Sequence, residues 1–286
     1  MLFAFGALFL KQATTSGIKV WSQIFTANIL ASIIFTAYLL LDGTFYGFQH
    51  LWQPALTGLF FVAGQIFILS AVHVGDVSVA TPITSTKVLI VAALAAIFTS
   101  TQPSLAIWIA ASLATVGVGL INFVVPKADR GIVLKTVVLA FIGAFCFSVF
   151  DVCLSTFSHN WGTGFIVPLA FWFVGFYTLL LYPLTDRSFK NIRDKNWKSL
   201  LIGGGLVAFQ GGVLAFALAT FNHDVTGINV VYSLRGMWGV LFAWLLAGYF
   251  GGREASMSKR VMGARLAGAL ILVAAVVIAI LSRNMS

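Results

Sequence analysis

Two cations stand where hydrocarbon is expected. Lys87 lies eleven residues after Asp76 and Arg235 eleven residues after Asp224, each inside a long apolar run and each preceded at two positions by a serine, Ser85 or Ser233. Counted along an unbroken helix at ~1.5 Å per residue, each sits ~16 Å beyond its aspartate, near the middle of a hydrocarbon layer ~30 Å thick. A cation at that depth costs roughly 2.5–3.5 kcal/mol on insertion scales and is too far from either end to snorkel. A polar cavity must receive both, and the chemistry they could do there is to hold an anion: a carboxylate, a phosphate or a sulfate. The competing reading is that each cation pairs with a buried carboxylate and merely locks the bundle. Asp151 is the only acidic residue well inside an apolar run, and one carboxylate cannot neutralise two cations. It is read as a counter-ion to Lys87 or Arg235, with proton coupling as the alternative role.

The neighbours are polar in a helical pattern. Ser78, Thr81 and Ser85 follow an i, i+3, i+7 stripe with Thr84 and Lys87 beside it, and Asn229, Tyr232, Ser233 and Gly236 surround Arg235. Gln65 and Gln210 fall near the centres of two further apolar runs. Substrate binding is one use for these groups; hydroxyls bonded to their own backbone and amides serving as interhelical glue are the others. Pro82, near the start of its run, frees a carbonyl and bends a helix, or is an ordinary first-turn proline.

Composition decides the solvent. Of 286 residues 60% are hydrophobic and only 9% charged, where a soluble domain carries about 25% charged residues. A water-soluble enzyme or binding domain is excluded. The formal charge of +9 would suggest nucleic acid in a soluble protein, but in a membrane protein it records orientation, and no nucleic-acid partner is expected. Cys146 and Cys153 share one helix face, which excludes a disulfide between them. The four histidines, His50, His73, His159 and His223, fall at segment ends, as do Trp21, Trp52, Trp161 and Trp197, which suit an aromatic belt. No metal site, cofactor or nucleotide-binding loop is expected.

Segments of about 20 apolar residues span a bilayer, and ten are predicted: 1–13, 22–41, 53–73, 77–99, 104–125, 132–157, 164–185, 199–221, 225–250 and 261–282. The first is short, with Lys11 after about ten apolar residues, so the helix is either short or begins upstream of Met1; it lacks the pattern of a secretory signal. Eleven basic residues in alternate breaks, among them Lys19, Lys127, Arg130, Arg187 and Lys259, oppose Arg283 alone on the other side. If the positive side is cytoplasmic, both termini face out, and a bacterial inner membrane is the expected location.

The match of Asp76-Val77-Ser78 to Asp224-Val225-Thr226, carried on to Ser85/Ser233 and Lys87/Arg235, marks an internal repeat. Residues 1–125 form a first five-helix repeat, 126–131 a charged linker and 132–286 a second repeat. An odd number of spans inverts the second copy, and inverted repeats place substrate near the midplane between them. The expected fold is therefore an all-α polytopic membrane protein of ten transmembrane helices in two inverted five-helix repeats.

The residues resemble the drug/metabolite transporter superfamily, in its EamA-like ten-helix branch. Glu254 is followed nine residues later by Gly263 and then by Gly268-Ala269-Leu270-Ile271, a Glu and a glycine-rich aliphatic run as in the family pattern. Gly117-Val118-Gly119-Leu120-Ile121 is the corresponding run of the first half, with Thr101 near the place of the Glu. Ser233-Leu234-Arg235 departs from the apolar Leu-x-Pro stretch common in the family. The resemblance implies export or exchange of metabolites.

Together these point to a secondary transporter of a small anionic or zwitterionic metabolite, working by alternating access around a central Lys/Arg cavity, as a monomer or homodimer and not as an enzyme. A flippase gripping a lipid phosphate head group is the alternative; a membrane transferase is disfavoured by the acid-poor breaks, and a channel by charges in pairs rather than rings. A reporter fused after Ser286 is expected to read out as non-cytoplasmic; a cytoplasmic signal would overturn the orientation.

Overall fold

The structure is a computed structural model. It describes residues 2–74, 80, 83–98, 103–121, 130–185, 197–221, 223–234 and 259–283, with backbone alone at 2–4, 7–8, 11 and 259–262. Among these residues there is no strand, and ten α-helices appear, one within or overlapping each of the ten expected segments. They are α1 (Leu2–Thr15), α2 (Val20–Phe35), α3 (Trp52–Val74), α4 (Lys87–Phe98), α5 (Leu105–Ile121), α6 (Arg130–Trp161), α7 (Thr163–Leu179), α8 (Trp197–Thr220), α9 (Val225–Ser233) and α10 (Lys259–Arg283). Among the described residues five stretches are long and apolar enough to cross a membrane: Val20–Leu40, Phe48–Val74, Arg130–Trp161, Trp197–Thr220 and Gly263–Ser282. α4, α5 and α7 are apolar but shorter. Large side chains such as Ile33, Phe98, Leu105, Phe176 and Leu270 lie more than half exposed, which suits lipid and not water.

Two segments depart from the expected unbroken helices. The run predicted over 77–99 carries a turn at Ser85-Thr86, and α4 starts only at Lys87. Hydroxyls account for it. Thr86 Oγ1 donates to the Ile83 carbonyl at 2.7 Å while the Thr86 amide donates to the same oxygen at 3.1 Å, so the chain is held in an i−3 turn where a helix would use i−4. The run predicted over 225–250 is helical to Ser233 and turns at Leu234, with residues 235–258 outside those described. The expected linker at 126–131 is also divided: 122–129 lie outside the described residues, and Arg130 and Gly131 belong to α6.

The chain forms two compact units, residues 1–62 with 153–222 and residues 63–152 with 223–286. Each draws on both sides of the expected linker, and two of the three divisions fall within α3 and α6.

In the first unit α1 packs on α8 through small residues: a Cβ on Gly203 would lie 3.0 Å from the Gly6 carbonyl. Asn28 of α2 donates to Thr178 Oγ1 of α7 at 2.9 Å, and Ser32 donates to the Phe171 carbonyl at 2.7 Å. Interhelical bonds of this kind hold membrane helices together where lipid supplies no hydrophobic drive. Trp161, fully buried, donates its indole N–H to Gln53 at 2.8 Å. The segment after α2 is stitched to the α6–α7 turn, Thr44 N–H to the Trp161 carbonyl and Gly164 N–H to the Asp42 carbonyl. Gly162 there has φ +67°, a left-handed conformation that favours glycine.

In the second unit α5 and α10 cross almost backbone to backbone at Gly117 and Gly268. A Cβ on Gly268 would lie 2.6 Å from the Gly117 carbonyl, and one on Gly117 would lie 2.9 Å from the Gly268 carbonyl. Ala110, Ala111, Ala114, Leu272, Ala275 and Ala279 continue the seam, all buried. Gly268→Leu is expected to cost about 1–3 kcal/mol through overpacking and to lower the melting temperature in detergent, whereas Gly119→Ala, whose Cβ meets nothing within 4 Å, leaves it unchanged. Equal melting temperatures would refute the seam.

Candidate functional site

Asp151 lies on α6 and Lys87 opens α4, and the two meet. Lys87 Nζ is 2.7 Å from Asp151 Oδ2; the lysine side chain is 13% exposed and the aspartate is wholly buried. The ammonium also lies 5.9 Å from the centre of the Phe147 ring and 5.8 Å from that of Tyr232, close enough for attraction to both π faces. Phe147 and Asp151 are four residues apart on α6 and so share a face. The cation is thus held by one carboxylate and two aromatic rings from α6 and α9.

The break before Lys87 is built into the same place. Ser85 Oγ donates to the Thr115 carbonyl at 3.2 Å, and Thr115 Oγ1 approaches the Ser85 carbonyl at 3.4 Å and that of Ala111 at 2.9 Å. From the other side Ser148 Oγ donates to the Lys87 carbonyl at 3.2 Å and to Ala144 at 2.8 Å. Backbone groups at a helix break cannot be left bare in hydrocarbon, and here hydroxyls from α5 and α6 supply partners to it. The break also removes the ruler of 1.5 Å per residue that the sequence reading ran from Asp76 to Lys87.

Neither oxygen of Asp151 has a hydrogen-bond donor of good geometry among the described residues, and Oδ1 lacks the ammonium contact that Oδ2 has.

The remaining candidates divide. Asn229 is buried and donates to the Val225 carbonyl at 3.0 Å, and Ser233 Oγ donates to the Val230 carbonyl, so both turn back on α9 itself. Tyr232 is brought to Lys87 by its ring. Thr84 and Gln65 are half-buried in the second unit, whereas Gln210 is half-buried in the first. Arg235 lies outside the described residues, as do Asp76, Ser78, Thr81, Pro82, Gly236 and Glu254. Asp224 caps α9, its carboxylate accepting from Gly227 N–H at 3.0 Å. Phe147, Ser148 and Thr115 were not singled out from sequence. The signal available was their spacing: 147 and 148 lie four and three residues before Asp151, one helical turn away.

Residues 1–123 match the EamA-like transporter family model. The matched part carries Ser85, Lys87 and Thr115; Asp151 lies beyond it. This EamA-like match is consistent with the drug/metabolite transporter superfamily and suggests a membrane transporter of that type, a non-enzymatic role. No curated protein matches the chain. Among solved structures, one described only as "Crystal structure of protein" superposes with a TM-score of 0.63 at 14% identity, covering 100% of this chain and 97% of its own. At that identity the likeness shows the fold alone. With the apolar helices, the EamA-like match supports an integral membrane protein.

The pair makes a stability prediction. Asp151→Asn strands a mostly buried ammonium and is expected to cost about 3–5 kcal/mol, while Lys87→Gln with Asp151→Asn costs less than the sum of the two single changes. A thermal-unfolding double-mutant cycle measures this, and additivity would mean that the two residues do not interact.

Proposed function

We propose that the protein is a secondary transporter that moves a small anionic or zwitterionic metabolite by alternating exposure of a cavity carrying Lys87 and Arg235. The observation that carries the reading is the buried pair of Lys87 with Asp151. A membrane protein that needed only a lock would serve as well with a well-packed apolar contact, since replacing a buried ion pair by hydrophobic residues is often neutral or stabilising. Here the pair is set at a helix break, faced by two rings, and Asp151 Oδ1 has no hydrogen-bond partner among the described residues. Those are properties of a contact that can be re-made with a different partner.

The two halves support a shared role for Lys87 and Arg235. Thr86 N–H donates to the Ile83 carbonyl and Leu234 N–H donates to that of Val231, each at 3.1 Å. Leu234 and Val231 follow Thr86 and Ile83 by 148 positions, the offset of Arg235 from Lys87. Each cation in this reading directly follows a tightened i−3 turn. Inverted five-helix repeats make such turns approach a common centre, and broken helices in transporters line substrate sites. In this reading Ser85 ties the first turn to α5 and Ser233 bonds back on the second; Tyr232 and Asn229 line the cavity with Gln65 and Thr84, and Asp151 keeps Lys87 compensated when no substrate is present.

A melting screen of purified protein against anionic and zwitterionic metabolites tests this. A true ligand at about a hundredfold excess over its Kd is expected to raise the melting temperature by roughly 5–10 °C. Arg235→Gln and Lys87→Gln should lose that rise. Folded variants that both keep it, or that transport the same anion at the wild-type rate in vesicles, would remove the charge argument.

A further inference from the structure

A carrier must cross a closed state with no charge left bare in hydrocarbon, and the geometry at Lys87 states how that condition is met here. In the structure the ammonium is compensated by Asp151 at 2.7 Å, and Asp151 is wholly buried with no other donor of good geometry among the described residues. An incoming anion that pairs with Lys87 must displace this carboxylate. Once displaced, Asp151 is a wholly buried carboxylate with no hydrogen-bond donor of good geometry among the described residues to stabilise a negative charge. Isolated buried carboxylates neutralise rather than bear a penalty of several kcal/mol.

We infer that Lys87 and Asp151 form an exchangeable pair through which one proton is bound for each anion taken up by the carrier. This rests on the transport reading above and deepens it. The balance is closed. In the empty carrier the ammonium and the carboxylate face each other. Binding replaces the Lys87–Asp151 contact with a contact between Lys87 and the substrate anion, and an O–H bond forms on the Asp151 carboxyl with a proton taken from water on the open side. Release reverses both events on the other side: the anion leaves, Asp151 gives its proton to water and re-pairs with Lys87. Empty and loaded carriers then carry the same charge at this locus, and a monoanion crosses together with its proton.

Other groups near the pair do not substitute for Asp151. Among the described residues, Tyr232 of α9 is a titratable group that a packed element brings to the ammonium, and it does so by its ring face. From α6 itself Phe147 offers only a ring, and Ser148 spends its hydroxyl on two carbonyls. From α5, Thr115 is likewise committed to backbone oxygens. Asp151 is therefore the proton-accepting member of the set.

The first test needs no substrate. Infrared difference spectra of folded wild-type, Lys87→Gln and Lys87→Gln/Asp151→Asn proteins at neutral pH should show a protonated-carboxyl C=O band in Lys87→Gln alone. If Lys87→Gln does not fold, Lys87→Met keeps the stem and removes the charge, and the same band is expected. A folded Lys87 variant without the band overturns the inference while leaving the transport reading untouched. The second test uses the anion that the melting screen identifies. Vesicles loaded with a pH-sensitive dye should register about one proton per anion moved by wild type and none for Asp151→Asn. Anion flux without proton movement in wild type would overturn the coupling even if Lys87 proves essential for binding.

Discussion

A single electrostatic constraint organises the second unit: a lysine ammonium placed in an apolar environment has to be compensated from the moment the chain folds. Almost everything near Lys87 serves that end. Asp151 supplies charge, Phe147 and Tyr232 supply the negative faces of their rings, hydroxyls of Thr115 and Ser148 reach the Ser85 and Lys87 carbonyls at the break, and the Ser85 hydroxyl ties the break to the Thr115 carbonyl of α5. Water would dissolve this arrangement into separate solvated groups. In hydrocarbon its parts depend on one another, because withdrawing one leaves a charge or a carbonyl without a partner.

The rest of the molecule leaves that locus free to be polar. Elsewhere the helices approach through residues with little or no side chain, as at Gly6 with Gly203 and Gly117 with Gly268. They are then pinned by isolated hydrogen bonds such as those of Asn28 to Thr178 and Trp161 to Gln53. These contacts involve no net charge and satisfy both partners. The contrast with Lys87 and Asp151 is one of kind: there the contact joins two full charges, and Asp151 Oδ1 has no hydrogen-bond partner among the described residues.

Much of the helix plan was legible in the sequence because spans in lipid are apolar all round, so run length alone locates them. Their interruptions were less so. Ser85 and Thr86 look like two hydroxyls on a helix, and whether such groups bond their own turn or a neighbour depends on what lies across from them: Ser85 finds Thr115 of α5, while Thr86 bonds Ile83 of its own turn. The meeting of Lys87 with Asp151 was foreshadowed by scarcity, since few carboxylates were available to choose from. Scarcity gave no help with Phe147, one of 27 phenylalanines, whose role is set by a fold that turns one face of α6 toward the start of α4. Nor did sequence distance show that Gln65 and Gln210, alike as central amides, belong to different compact units.

The crossing of α5 with α10 bears on how the protein is made. Gly117 and its partner Gly268 are separated by 151 positions in the chain, which at ribosomal rates of about 5–20 residues per second is roughly 8–30 s of synthesis. For that interval the glycine and alanine face of α5 has been made and its partner helix has not. The second unit therefore closes only when the last helix arrives. Quality control that reads unsatisfied helix faces has this long exposure to act on, and a chain that stops short of α10 presents the same open seam permanently.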